Sequence, residues 1–294
     1  MDIEITDYDN LLVYKKGYTA SFVEQTIRNN NLAGLRIFDH LDRLDTLSFL
    51  SDYTFLEKLS IDCAYDQDYS FLSRLSNLKD LSIGGDSRVK NPIDLSALVN
   101  LEYLGLYWRK NKIKGIEKCS NISSLSLIYF KESDLSAIKS LTNIKSLMVK
   151  ISPIKSLDGF ASLDSIEKIK IVNCRNLNDI NVLHGCSNLT SADFDLCPNL
   201  EDFEPLRGTS KLKSLSLIDC KRTKSINFVN DLELNRLTLG GSTDIADGNI
   251  MPAQKVKDFI YDHKPHYNIK IVNEEHEARR KANLQMVKDI LGKI

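Results

Sequence analysis

The feature that most constrains this chain is a six-residue pattern, L-x-x-L-x-L with conservative replacements, that returns ten times. It reads Leu32/Leu35/Ile37 first, Leu101/Leu104/Leu106 and Ile166/Ile169/Ile171 in the middle, and Leu234/Leu237/Leu239 last, with the middle residues 21–24 apart. In L-x-L the two apolar side chains point to one side of a short strand, because side chains alternate along an extended chain. One copy cannot bury that side alone. Stacked copies bury it together, each touching only its neighbours. The return segments carry further apolar positions, such as Leu95/Leu98, Leu135/Ile138/Leu141 and Leu157/Phe160/Leu163. They are too short for full helices, so each is expected to be extended chain or a single 3₁₀ turn. Asp94-Leu-Ser-Ala-Leu98 and Asp134-Leu-Ser-Ala-Ile138 suit such turns, since Asp and Ser cap local N–H groups.

This pattern resembles the leucine-rich repeat family over residues 32–242, in the 22-residue class of phosphatase-regulatory subunits and bacterial internalins. The resemblance implies an α/β leucine-rich repeat solenoid. A parallel β-sheet would form its concave face, short turns or 3₁₀ segments its convex face, and helices its terminal caps. One departure stands out. The family usually places Asn or Cys five residues after the middle leucine, and here that position reads His40, Ala64, Asp86, Arg109, Phe130, Ser152, Cys174, Cys197, Cys220 and Ser242. Only the late copies keep the family residue, so irregular early turns are expected.

A stack of rungs needs covers at both ends. Residues 1–31 can supply one, with a strand at Leu11–Tyr14 and a helix from Thr19 to Asn30 burying Phe22, Val23, Thr26 and Ile27. Residues 243–294 are expected to supply the other as helix–strand–helix. Its first helix would start at Pro252, bury Val256, Phe259 and Ile260, and end at Pro265. A strand is expected over Tyr267–Val272, and Asn273 would cap a final helix with acidic residues first and Lys288 and Lys293 near its end.

Charge and chemistry narrow the function. Thirty-nine basic and 40 acidic side chains leave a net charge of −1, so no global charge draws the chain to nucleic acid or anionic lipid. The start, MDIEITDYDN, has no apolar core of a signal peptide, and no apolar run reaches membrane-spanning length. These readings imply a cytoplasmic, monomeric chain. Asn121-Ile-Ser123 and Asn188-Leu-Thr190 match the glycosylation pattern but fall inside the repeat. Repeat position makes Cys119, Cys174, Cys186, Cys197 and Cys220 small buried residues rather than metal ligands, and no C-x-x-C occurs. His263 and His266 are separated by Pro265. No nucleophile elbow or phosphate loop is present, and Gly84-Gly85 and Gly240-Gly241 read as turn glycines. No metal, no cofactor and no enzymatic activity are expected.

What remains is the open strand face. Positions one before, one after and three after each middle leucine should point out of the sheet. Many are serine, a low floor on which another backbone could lie. Against it stand Tyr103, Tyr107, Arg109, Ile128, Phe130, Met148, Lys150, Lys168, Lys170 and Val172, then the opposite charges Asp193 and Asp195. Aromatic residues, Met and Arg are enriched at interface cores, and adjacent opposite charges orient a protein partner. The expectation is a non-catalytic module holding a protein partner on its concave face, with no nucleic acid or membrane partner. The alternatives are a bacterial immunity-type protein that covers a toxin or effector, and an enzyme or the substrate-recognition part of one.

Overall fold

The computed structural model describes residues 3–39, 43–65, 67–85, 91–108, 112–160 and 164–269, which fall into two compact units, Met1–Ile166 and Glu167–Ile294. In the first unit the order is β1 (Leu11–Val13), α1 (Ala20–Asn29), β2 (Gly34–Phe38), β3 (Lys58–Asp62), β4 (Asp80–Gly84), β5 (Ile93–Asp94), β6 (Tyr103–Tyr107), β7 (Ile113–Lys114), β8 (Ser124–Ile128) and β9 (Ser146–Lys150). Strands β1-β2-β3-β4-β6-β8-β9 form one parallel sheet in that order, and β5 pairs with β7 behind it. The second unit holds β10 (Lys168–Val172), β11 (Ser191–Asp195), β12 (Ser214–Ile218), β13 (Arg222–Thr223), β14 (Arg236–Gly240), β15 (Asp244–Ile245) and β16 (Asp258–Tyr261). Its sheet runs β10-β11-β12-β14-β16, again parallel, with β13 beside β15.

The register follows the repeat. Leu35 pairs with Leu59, Leu59 with Leu81, Leu81 with Leu104, Leu104 with Leu125 and Leu125 with Leu147. In the second unit Ile169 pairs with Ala192, Ala192 with Leu215 and Leu215 with Leu237. Each of these residues is buried. A register slip of one residue would turn a whole row of leucines to solvent, so hydrophobic burial fixes the pairing.

The return holding residues 94–98 is formed by β5 and turns, whereas most of the described returns carry a single 3₁₀ turn, among them Ser70–Arg74, Ser136–Ile138, Asn181–Leu183 and Glu204–Gly208. An aspartate two residues upstream caps each one: Asp68 accepts from Ser70 N, Asp134 from Ser136 N, Asp179 from Asn181 N and Asp202 from Glu204 N, at 2.8–2.9 Å. At Asp94 the hydroxyl and N–H of Ser96, and at Asp134 chiefly the N–H of Ser136, hold the carboxyl below its ordinary pKa. Asparagines tie the rungs together. The amides of Asn77, Asn100, Asn121 and Asn143 donate to the carbonyls of Thr54, Ser76, Val99 and Ser120 in the rung before. The Asn121 amide is thus used within the stack.

All six cysteines are free and buried. Cys197 Sγ donates to the Ile171 carbonyl and Cys220 Sγ to the Phe194 carbonyl. Thr243 Oγ1 continues the ladder to the Leu217 carbonyl, also 26 residues upstream, while Ser242, the residue expected there, is exposed. One extra residue, Ser242, follows the left-handed Gly241 and shifts the inward position by one. Burial pushes the thiols up in pKa, Cys119 to about 11 and Cys220 to about 12.

The amino-terminal end matches its pattern closely. Thr19 Oγ1 accepts from Phe22 N at the start of α1. Val23 and Thr26 are buried, whereas Phe22 and Ile27 are half-buried. Ile5 bridges antiparallel to Leu12 beside β1. At the other end the helix expected from Pro252 is not formed. Residues Met251–Lys255 make a 3₁₀ turn, and Asp258–Tyr261 is strand β16, with Phe259 paired to Leu237. Val256, Phe259 and Tyr261 repeat the Leu234/Leu237/Leu239 spacing 22 residues on. Three apolar residues over one turn cannot distinguish a helix stripe from a further rung, and the sheet edge decides for the rung. Residues 267–269 form no strand; Tyr267 instead tucks its hydroxyl beneath Ile245 N at 3.2 Å. Residues 270–272 of the expected strand, and the expected final helix, lie outside the described residues.

Candidate interaction surface

Because β6, β8 and β9 pair in register, their outward residues form lateral rows. One row runs Tyr103, Ser124, Ser146; the next Gly105, Ser126, Met148; the third Tyr107, Ile128, Lys150. Tyr103 lies across the floor: a Cβ on Gly105 would come within 3.0 Å of its hydroxyl. The Tyr107 ring edge would lie 3.8 Å from a Cβ on Gly84 of β4. Small residues beneath and beside these rings let them spread over the sheet. Tyr103, Tyr107, Ile128 and Met148 are half-buried and Lys150 is exposed.

Phe130 is a correction. It was expected on the face, and it is fully buried, with Trp108 packed edge-on against it at 4.9 Å. It occupies the position five after the middle residue, where the chain has already turned inward; the Cys197 and Cys220 positions are its counterparts. Arg109, expected beside it, lies outside the described residues.

The chain turns by a left-handed residue four places after the middle one. Gly85 and Gly241 fill this position in two rungs, with φ +79° and +63°; elsewhere it is Tyr129 (φ +56°), Ile151 (+54°), Asn173 (+53°), Leu196 (+54°) and Asp219 (+51°). Glycine and asparagine accept this conformation readily, but a bulky or β-branched side chain there is strained. Tyr129 N donates to the Lys150 carbonyl at 3.0 Å, which holds the turn. Its ring stands 36% exposed at the strand ends, 5.4 Å from Tyr107 in edge contact, with the Lys131 ammonium 5.5 Å above it. Trp108, half-exposed, places Nε1 3.4 Å from Glu132. Periodicity of the strand alone missed Tyr129, Trp108 and Lys131. The signal was present: a tyrosine stands where another rung carries glycine.

The second unit's face is largely polar, with Val172 and Ile218 as half-exposed apolar members. Lys168 and Lys170 are exposed, and Val172, Asp193 and Asp195 half-exposed. The two expected opposite charges meet: Lys170 Nζ lies 2.7 Å from Asp193 Oδ2. That hydrogen bond and the aspartate charge raise the Lys170 pKa. Burial, then the charges of Asp193 and Asp219, raise that of Asp195. Arg236 closes on Asp258 at 2.7 Å in the same way. Ser191, Ser214, Ser216 and Thr238 form the floor. Among the described residues no group of three or more His, Cys, Asp or Glu is placed to hold a metal ion, and no helix is long and apolar enough to cross a membrane.

No protein-family model matches the chain, and no curated protein matches its sequence. Solved structures do. An internalin, InlF, from Listeria monocytogenes strain 4b F2365 superposes with TM-score 0.52 and 18% identity, over 86% of this chain and 80% of that one. An internalin C2 from the same strain is 25% identical over 60% of this chain and 80% of its own, with TM-score 0.46. TLR13, solved in a complex with ssRNA13, matches over 88% of this chain and 47% of that one, with TM-score 0.51 and 15% identity. At these identities the likeness speaks for the fold alone. Stacked 22-residue rungs, parallel strands with buried leucines at matched register, 3₁₀ turns in the returns and the likeness to InlF together give this chain a leucine-rich repeat fold.

Proposed function

We propose that the protein is a non-catalytic interaction module that holds a protein partner on its concave strand face, anchored in the first unit by Tyr103, Tyr107, Ile128, Met148 and Lys150. One observation carries the reading. Tyrosine, isoleucine and methionine side chains lie in adjacent rows on an otherwise serine and glycine floor, half open to solvent. Exposed apolar side chains grouped in this way are what an interface core requires.

A photo-crosslinking residue placed at Tyr107, and separately at Lys139 on the return side, would test this in the native source. A covalent protein adduct from position 107 and none from 139 is the expected result. Adducts from 139 alone would remove the strand face from consideration.

A further inference from the structure

We infer that the partner segment seated on the first unit is acidic and carries apolar anchors. The inference rests on the proposal that this face is an interface, and it adds the chemistry of the occupant. Two independent observations lead to it.

The first is charge. The whole chain is balanced, yet residues 101–160 carry ten Lys or Arg against five Asp or Glu. Lys150 ends the Tyr107–Ile128 row, and Lys131 stands over the Tyr129 ring. Elsewhere in this unit the face cancels its own charge, through Lys58 with Asp80 at 3.1 Å and Arg36 with Asp62 at 3.8 Å. Cations at the margin of an apolar row favour a carboxylate-bearing partner and disfavour a basic one. They flank the aromatic row instead of lining a continuous track, and Glu132 sits beside Trp108. That arrangement favours an acidic peptide over a nucleic-acid backbone, which is read by continuous phosphate contacts.

The second is strain. Tyr129 holds a left-handed backbone conformation that glycine would hold without cost, and Gly85 does so at the equivalent turn. The side chain it retains there is an exposed aromatic ring aimed at the margin of the same patch. Ile151 and Leu196 hold the same conformation, so the strain is shared by other rungs; what is particular to Tyr129 is a ring that reaches Tyr107 and carries Lys131 above it.

The test selects a random twelve-residue peptide display library on the full chain and reads the enriched peptides by fluorescence anisotropy. The expected peptides are acidic with interspersed apolar residues, and salt weakens their binding. Lys131→Glu with Lys150→Glu should weaken them at least tenfold. Tyr129→Gly should also weaken them while raising Tm by about 2 °C. Those opposite signs separate a binding residue from a structural one, because a merely structural tyrosine would change neither affinity nor the composition of the selected peptides. Enriched peptides without acidic bias that still lose binding to Tyr107→Ala would overturn the acidic partner and leave the interface standing. Peptides indifferent to Tyr107→Ala, or no enrichment, would overturn both. A twelve-nucleotide single-stranded RNA that displaces the peptides and binds more tightly than they do would assign the cations to nucleic acid and overturn the inference.

Discussion

Strands β6, β8 and β9 in the first unit and β10, β11 and β12 in the second are the same object seen from inside. Their middle residues are buried, their register is identical in kind, and most of these strands end in a left-handed turn. From outside they differ. The first shows rings and a methionine with lysines at the margin; the second shows serines, with lysine and aspartate closed on each other, and no aromatic ring beside its Val172 and Ile218 on strands β10 to β12. The inward positions are packed against the neighbouring rung, whereas the outward ones meet only lateral neighbours on the same face and solvent. A rung can therefore exchange its whole outer surface without moving its backbone, and function in such a scaffold resides in the residues that the fold leaves alone.

The strongest test of that division compares two aromatics 23 residues apart. Phe130 is fully buried and Tyr107 half-buried. Phe130→Ala should cost about 3–5 kcal/mol by removing a packed ring, and Tyr107→Ala about 1 kcal/mol or less, both read from urea unfolding midpoints. Equal costs would mean that the boundary between inside and face is drawn in the wrong place.

The inward thiols of the second unit give the next largest effect. Cys220 is held as a thiol up to about pH 12 by burial. Its pKa is raised on folding, so its contribution is fully present below the unfolded value of 9.0 and is lost as pH climbs from there towards 12. At pH 10 the loss from this one group is about 1.4 kcal/mol. Chemical unfolding at pH 7 and pH 10 should show a shallower decline in Cys220→Ala than in the parent chain; identical declines would place the thiol in contact with water.

Strain at the turns should yield about 1 kcal/mol. Leu196→Gly is expected to raise stability by that amount in thermal unfolding, whereas Asn173→Gly, at the same turn position with a residue that tolerates the left-handed region, should change it by a few tenths. A loss of stability at position 196 would show that the leucine's packing outweighs its backbone strain.

How much of this was legible beforehand depends on what enforces each feature. The rungs were readable because burial repeats every 22 residues and a one-residue slip is costly, so Leu35, Leu104 and Leu215 announce their own partners. The amino-terminal helix was readable because Thr19 offers a capping oxygen before an apolar stripe. The last rung was not, since Val256, Phe259 and Ile260 satisfy helical and rung spacing alike, and only a partner strand at Leu237 resolves them. On the face, alternation placed Tyr103, Tyr107, Ile128 and Met148 correctly as outward residues, but it stops at the strand end. Phe130 lies beyond that point, where the turn has redirected the chain inward, and Tyr129 lies within the turn itself. The pairing of Lys170 with Asp193 is a choice of rotamer, which spacing does not encode.

That pair supplies the smallest effect and the finest test of the comparison. The Lys170 side chain is 53% exposed, so Lys170→Met should cost a few tenths to 1 kcal/mol, less at high salt. Its direction with pH is the informative part. Lysine also lowers the pKa of Asp195, which burial and the charges of Asp193 and Asp219 raise. Without Lys170 the Asp195 pKa should rise further in an NMR titration. A carboxyl whose pKa is raised on folding contributes most below its unfolded value and loses that contribution as pH rises through the folded one. The substitution should therefore be nearly silent at pH 3 and destabilising at pH 7. The same cost at both would show that the lysine acts through its methylene packing, and the second unit's face would then be held by something other than charge.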